Sequence, residues 1–142
     1  TMKRLLSEIF TEASKLKTKK ERVNYLRQNQ SPAMKDLIRI NYDESISCLL
    51  PTGAPPYEPD DAPAGKNISR LEKRYTRFKF FFNGPTGRAV NPIKRETMFI
   101  QLLESLHASE AEMLVLAKDK KMKYTGITKK LCQDAFPGLI TK

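Results

Sequence analysis

The sequence predicts a mainly α-helical protein, and three observations support that fold class. Apolar residues recur at three- and four-residue spacings over most of the chain, as they do along one face of an α-helix. Helix-capping sequences stand at the starts of several of these segments. Strand-like alternation is nearly absent. We therefore expect a compact bundle of six or seven short helices, with at most a short strand pair.

The length and composition point to one small domain and exclude several classes of protein. A chain of 142 residues with 39% hydrophobic and 30% charged residues fits a single domain over residues 1–142. No apolar run approaches the ~20 residues that cross a bilayer, so we expect no membrane partner. Cys48 and Cys132 are expected to be buried thiols in a reducing compartment, and one disulfide between them is the less favoured alternative.

The positive charge lies in two blocks rather than in a tail. The chain has 26 Lys and Arg against 16 Asp and Glu, a formal net charge of +10. Residues 1–41 carry +6, residues 42–63 carry −5 and residues 64–95 carry +8. This distribution suggests an anionic partner, although the acidic segment could fold back and neutralise a basic one.

Three helices are predicted in the first 42 residues. The first covers Lys3–Lys15, with apolar residues on one face and Lys and Glu opposite. Thr18–Glu21 is a capping box, which begins a second helix that ends near Arg27. Ser31–Pro32 begins a third, because Ser is a good N-cap and Pro fits the first helical position.

A proline-rich acidic loop is predicted to follow. Residues 45–50 alternate in polarity and suit a short extended segment. The loop covers residues 51–66, and residues 51–63 hold five of the nine prolines. Proline fixes φ and removes an amide donor, so this stretch should be polyproline-like. A loop of this length usually marks function or disorder.

The segment after the loop is predicted to be an amphipathic helix. Ser69–Glu72 is a second capping box, and Asn83–Gly84 is a suitable helix end. The helix's apolar seam consists of Ile68, Leu71, Tyr75, Phe78 and Phe82. A strand over Phe78–Phe82 is the alternative, since aromatic residues favour sheets.

The last third of the chain predicts a turn and three helices. Pro85–Val90 is a turn-rich loop, and Asn91–Pro92 begins a long helix. Ser109–Glu112, a third capping box, begins the next helix, and Thr128 caps the last one. The predicted core face of the long helix consists of Ile93, Met98, Phe99, Leu102, Leu103 and Leu106.

Catalytic and metal-binding patterns are weak, so we expect no enzyme, cofactor or metal site. His107 is the single histidine, and a residue that finishes a helix is a better interpretation of it than a triad base. Gly84–Arg88 lacks Walker spacing, and the acidic pairs Asp43–Glu44 and Asp60–Asp61 lack calcium-loop spacing. A small hydrolase or nuclease is the third-ranked possibility.

The strongest functional signal is electrostatic and predicts contact with DNA or RNA. Arg can hold phosphate through two N–H groups, and aromatic side chains nearby could stack on bases. The predicted nucleic-acid-binding residues are Arg70, Lys73, Arg74 and Arg77, helped by Lys19, Lys20 and Arg22. Two alternatives remain open, namely a solvated basic face and a helix-turn-helix whose reader helix carries Lys129 and Lys130.

Four strings in the chain resemble a known group of proteins. They are residues 31–39 (SPAMKDLIR), 50–57 (LPTGAPPY), 101–110 (QLLESLHASE) and 126–138 (GITKKLCQDAFPG). Together they are similar to a family of small uncharacterised proteins of T4-like tailed bacteriophages, including those of marine cyanobacteria. The resemblance implies a phage protein acting in the host bacterial cytoplasm, and it implies no catalytic residues.

Two functional hypotheses follow. The first is a non-enzymatic phage accessory protein that binds nucleic acid through a basic helix face. The second is a factor that binds a host or phage protein, with the loop as its docking segment. The predicted docking residues are Pro55, Pro56, Tyr57 and Pro59.

Overall fold

Helices dominate the computed structural model, which describes residues 4–63 and 66–142. The mainly α prediction is confirmed, and the described residues hold eight α-helices and one 3₁₀ helix. The elements are α1 (Leu6–Lys15), α2 (Lys19–Gln28), α3 (Pro32–Tyr42), α4 (Leu71–Arg74), the 3₁₀ helix (Tyr75–Phe80), α5 (Pro85–Ala89), α6 (Pro92–Glu104), α7 (Ala108–Lys118) and α8 (Lys129–Ala135). The number exceeds six or seven because the segment after the loop is divided and the predicted turn contains the short α5. Lys3, where the first helix was predicted to begin, lies outside the described residues.

Four predicted helix starts are confirmed by their cap geometry. The Thr18 hydroxyl accepts the amide of Glu21, and the Ser31 hydroxyl accepts the amide of Met34. Asn91 caps α6 and Thr128 caps α8 in the same way, through side-chain oxygens that accept amides two or three residues ahead. At all four positions a short side chain satisfies an amide that the helix leaves without a partner.

The predicted helix from Ser69 to Phe82 is wrong in its extent and in its cap. Arg70, not Ser69, is the N-cap residue, and the α-helix ends after one turn at Arg74. The chain then tightens into the 3₁₀ helix. Ile68, placed in the predicted seam, is 79% exposed. The aromatic run is buried by this tighter coil rather than by an α-helical seam.

Two further predictions near the third capping box are corrected. The N-cap residue of α7 is His107, whose Nδ1 accepts the amide of Ser109 at 3.1 Å. Ser109 therefore belongs to the first turn of the helix and does not cap it, and Glu112 is exposed. In α6, Ile93 is 76% exposed although its spacing places it with the core residues.

The core is one continuous cluster of apolar side chains. α3 packs against α7, α4 and the 3₁₀ helix, while α1 packs against α2 and α7. α8 packs chiefly on α2. Phe10, Phe81 and Phe99 are the largest fully buried side chains, and the rings of Phe81 and Phe99 meet edge to face at 5.2 Å. Burial of this apolar surface is the main stabilising contribution to such a fold.

A short strand-like pair joins the segment before the loop to the end of the 3₁₀ helix. Cys48 and Phe82 form an isolated antiparallel bridge. The amide of Leu49 donates to the carbonyl of Phe81 at 2.8 Å, and the amide of Asn83 donates to the carbonyl of Ser47 at 3.0 Å. The predicted extended segment is confirmed, and it holds the 3₁₀ helix against the body of the protein.

The end of α3 is fixed by a buried carboxylate. Asp43 is 1% exposed and accepts hydrogen bonds from the amide and hydroxyl of Ser45 and of Thr141. Burial alone would raise the pKa of Asp43, but these four hydrogen bonds outweigh it and hold the pKa well below its ordinary value. The contacts attach the C-terminal residues to α3.

Both cysteines are free thiols. Cys132 is buried in α8, and burial raises its pKa to about 12. Cys48 is half-buried beside the strand-like pair. The prediction of two separate thiols is confirmed, although only Cys132 is fully buried.

Gly87 in α5 approaches the end of the 3₁₀ helix so closely that a side chain would not fit. A Cβ at this position would overlap the carbonyl oxygen of Phe82 and lie 3.0 Å from that of Lys79. We expect Gly87→Ala to lower the free energy of unfolding by about 1–3 kcal/mol, because rigid backbone must move. Urea denaturation measures the change.

Gly84→Ala is the matched control, since a Cβ there has no neighbour within 4 Å and φ is −102°. This control should change the free energy of unfolding by less than about 0.5 kcal/mol. Equal stability of the two variants would contradict the close approach of α5.

Candidate nucleic-acid interface

The basic residues after the loop divide into two groups by their contacts. Two of them, Arg77 and Lys79, lie in the 3₁₀ helix, which has three residues per turn. Every third residue lies in one row. Phe78 and Phe81 form the buried row, at 4% and 1% exposure. The cationic side chains fall in the two flanking rows, and their exposure and contacts differ.

Arg70 and Arg74 are bound to the protein itself. Arg70 donates from Nη2 to the carbonyl of Arg4 at 3.0 Å and lies 3.8 Å from the carboxylate of Glu72. Arg74 donates from Nε to the hydroxyl of Ser69 at 2.7 Å. These contacts join the start of α4 to the N-terminal segment and shape the turn after the loop. Both arginines therefore have a structural role.

Lys73, Arg77 and Lys79 are exposed. Lys73 lies in α4, and Arg77 and Lys79 lie in the 3₁₀ helix. The described residues give none of the three an acidic partner. The ammonium group of Lys79 lies 5.6 Å from the ring centroid of Phe80. Their charges face solvent and are available to an anion.

Lys79 also lines a cleft between α3, the 3₁₀ helix and the start of α5. The cleft has a volume of about 400 Å³ and includes Arg39, Asp36, Asn83 and Thr86. Arg39 is exposed and lies 3.8 Å from the carboxylate of Asp36. Burial raises the pKa of Asp36, and the positive charge of Arg39 opposes that rise. One Arg, one Lys and a single carboxylate thus line the same cleft.

Most of the aromatic residues proposed for base stacking belong to the core. Phe78, Phe81 and Phe82 are buried and cannot stack on a base. Tyr75 and Phe80 are half-buried and pack against the core with part of each ring accessible. Stacking at this surface is limited to those two rings.

The second predicted cluster is largely engaged with neighbouring segments. Lys19 forms an ion pair with Asp134 of α8. The buried Nε of Arg22 has no hydrogen-bond partner among the described residues, and a Cβ at Gly126 would lie 2.5 Å from its Cζ. Of the three residues in this cluster, only Lys20 is both fully exposed and without a polar partner in the described part of the chain. The helix that carries this cluster, α2, packs chiefly on α8 and α1.

The helix-turn-helix alternative is not matched by the packing of the last two helices. α8 packs chiefly on α2, whereas α7 packs on α3 and α1. Lys130 forms an ion pair with Asp134 on its own helix at 3.4 Å. α7 therefore does not support α8 in the way that a reader helix requires.

The proline-rich loop is attached to α6 and α7. The amide of Gly53 donates to the carboxylate of Asp119 at 2.8 Å, and the amide of Glu58 donates to that of Glu104 at 3.1 Å. Further along, Asp60 pairs with His107 in an isolated parallel bridge. No hydrogen bond or ion pair joins the described loop residues, 51–63 and 66, to Lys73, Arg77 or Lys79, and residues 53–60 are attached to α6 and α7 instead.

The predicted docking residues lie in this attached segment and differ in exposure. Pro56 and Pro59 are exposed, while Pro55 and Tyr57 are half-buried, and the Tyr57 ring packs against the core. Burial and the nearby carboxylate of Glu112 raise the pKa of Tyr57. The motif therefore lies on the surface with the Tyr57 ring packed against the core.

His107 caps α7, and the acidic pairs belong to no metal-binding group in the described ranges. Nδ1 of His107 lies 2.7 Å from the hydroxyl of Ser109, a contact that belongs to the cap of α7. No group of three His, Cys, Asp or Glu in residues 4–63 and 66–142 is placed to hold a metal ion. The helices described are all too short or too polar to cross a membrane.

Arg39 is the residue of this surface that sequence reasoning missed. It lies on α3, about 40 residues before Lys79, and only the packing of α3 against the 3₁₀ helix brings the two to one cleft. Its position on the polar face of an amphipathic helix was visible in the sequence, but its neighbours were not. Lys79 is likewise absent from the predicted nucleic-acid-binding residues.

Because Arg74 is bound to Ser69 and Arg77 is exposed, we expect alanine substitutions at these two positions to have different effects on stability. Arg74→Ala leaves the 9% exposed Ser69 hydroxyl without its donor, so we expect the free energy of unfolding to fall by about 1 kcal/mol. Arg77→Ala removes an exposed side chain and should change it by less than about 0.5 kcal/mol. Urea denaturation of both variants tests this, and an equal effect would contradict the assignment.

Comparison with known proteins gives one match. No curated protein matches the chain, and no solved structure matches it. The model of the Family of unknown function (DUF6433) matches residues 9–124, which include α2 to α7 and the proline-rich loop. This agrees with the expected resemblance to an uncharacterised family. Since the match covers most of the chain, the protein belongs to the Family of unknown function DUF6433.

Proposed function

We propose that the protein binds DNA or RNA, without catalysing a reaction, through Lys73, Arg77 and Lys79 and the cleft that holds Arg39. The observation that carries this proposal is that these three cations are exposed and have no acidic partner in the described residues. The basic surface proposed is thus smaller than the set the sequence predicts, because Arg70, Arg74, Lys19 and Arg22 are engaged elsewhere.

The chemistry of this surface suits phosphate groups along a strand. Lys offers a compact point charge and Arg a fork of donors, and both bind phosphate oxygens. Thr86 adds an exposed side-chain hydroxyl beside Lys79 in the cleft. The rings of Tyr75 and Phe80 are accessible only in part, so base contacts should be few and sequence preference weak.

Asp36 restricts how a phosphate can enter the cleft. Its carboxylate already lies 3.8 Å from Arg39, and a phosphate would have to share that guanidinium. Lys73 and Lys79 have no such competing carboxylate among the described residues. Contacts along the 3₁₀ helix should therefore provide most of the binding free energy, with Arg39 as an addition at one end.

The proposal predicts a specific salt dependence. Three phosphate contacts release about three counterions, which gives a slope near −3 for log K against log salt concentration on double-stranded DNA. We expect a triple variant, Lys73→Ala with Arg77→Ala and Lys79→Ala, to lose at least about tenfold in affinity at low salt and to have a much flatter slope. Fluorescence anisotropy with mixed-sequence DNA and RNA measures both quantities.

The matched control is a second triple variant with the same change in net charge. Lys94→Ala, Lys121→Ala and Lys123→Ala remove three exposed lysines that lie outside both basic clusters. This control should keep most of the affinity. Absence of binding at low salt, or an equal loss in the two triple variants, would refute the proposed surface.

The same proposal places this binding in a bacterial cytoplasm during infection by a T4-like phage. The resemblance of the four strings supports that setting, and the two free thiols suit a reducing compartment. Proteomics of infected and uninfected bacteria tests it for members of the family. Detection in uninfected cells that lack a prophage would contradict the setting without affecting the binding test.

A further inference from the structure

We propose that a groove between the proline-rich loop and α6 binds a segment of a protein partner that presents an apolar side chain flanked by Lys or Arg. The groove has a volume of about 320 Å³, at the lower end for ligand-binding pockets. One wall is the backbone and side chains of residues 50–56, and the other is α6. This site does not depend on the basic surface described above.

The groove is a built feature because the loop is fastened at both sides of it. At the start of the loop, the carbonyl oxygen of Pro51 accepts a hydrogen bond from Nζ of Lys118 at 2.9 Å, and the amide of Gly53 donates to the carboxylate of Asp119. Further along the loop, the amide of Glu58 donates to the carboxylate of Glu104 in α6. The prolines between these attachments have no backbone N–H to donate to α6. Their fixed φ angles also limit how closely the loop can approach the helix.

The inner surface of the groove is apolar. Phe99, at 2% exposure, lies at its floor, and the half-buried Ile100 lines the α6 side. Ile93 lies two turns earlier on the same face of the helix and is 76% exposed. A large exposed aliphatic side chain next to an apolar groove marks a surface that a partner could cover.

The rim of the groove is acidic. Glu96 lines it, and Glu104 lies on the same face of α6 two turns later. Both are exposed, and neither has a cationic partner in the described part of the chain. The one cation in the lining, Lys118, has a side chain only 1% exposed and donates to Pro51 and Asp119, so it offers nothing to a ligand.

This charge selects the class of partner. Carboxylates at the rim repel phosphate and attract ammonium or guanidinium groups, so a nucleic acid is disfavoured and a basic peptide segment is favoured. The apolar groove then takes the side chain between the basic residues. In this arrangement Pro55 and Pro56 form part of the wall of a groove that receives the partner, whereas the sequence predicted them to be docking residues themselves.

Isoleucine methyl NMR tests the proposal with defined peptides. The probe is an acetylated and amidated pentapeptide with one leucine between two pairs of lysines, and the comparison peptide has glutamates in place of the lysines. We expect saturable shifts of the Ile93 and Ile100 methyl signals with the lysine peptide at physiological salt. The glutamate peptide should cause none.

Substitutions test the acidic rim and the apolar surface of the groove separately. Glu96→Lys should weaken the lysine peptide about fivefold or more, because an attraction becomes a repulsion. Ile100→Ala should weaken it through lost apolar contact. Glu12→Lys, on α1 and outside the groove lining, is the control and should bind normally. Thermal unfolding checks that each variant is folded.

Several results would overturn the proposal. Equal shifts with both peptides, or shifts that Glu96→Lys leaves unchanged, would show that the acidic rim does not select the ligand. Self-association that Ile100→Ala abolishes, in the absence of peptide, would mean that a second copy covers the groove. Failure of the DNA and RNA tests would not affect this outcome, since the groove and the basic surface share no residue.

Discussion

One buried carboxylate, that of Glu110, joins three helix N-termini. It is 1% exposed and lies in the first turn of α7. Its Oε2 accepts the amide of Leu6, the first residue of α1, and its Oε1 accepts the amide of Leu71, the first residue of α4, each at 3.1 Å. Burial raises the pKa of Glu110, and these amide bonds oppose that rise. Three positively polarised helix ends could not meet in the core without such an acceptor.

The position of α4 determines which basic residues remain available outside. The amide of Leu71 is held by Glu110. On either side of it, Arg70 donates to the carbonyl of Arg4 and Arg74 donates to the hydroxyl of Ser69. The chain continues as a 3₁₀ helix whose buried row ends at Phe81. Contacts at the start of the segment thus hold Arg70 and Arg74, whereas Lys73, Arg77 and Lys79 extend to solvent.

Much of the helical pattern could be predicted because it is local, and the failures occur where distant residues compete. Thr18 and Ser31 cap their helices with atoms that lie within three residues, so the motif alone is sufficient. Ser69 begins the same motif, but the amide of Leu71 donates to the distant carboxylate of Glu110, and no local pattern predicts that hydrogen bond. Ile93 has core spacing at the start of α6, yet none of the described elements covers it. The candidate surface could be predicted as a basic segment and not as a set of free cations, since ion pairs and the cleft with Arg39 arise from packing.

The role of Glu110 can be measured directly by amide hydrogen exchange in a Glu110→Gln variant. Glutamine keeps the shape but offers only one acceptor oxygen, so one of the two amides must lose its partner. We expect exchange at Leu6 or Leu71 to accelerate at least about tenfold beyond the change at Leu131, whose amide Thr128 caps independently. An equal change at all three amides, or none, would contradict the view that this carboxylate holds the helix ends together.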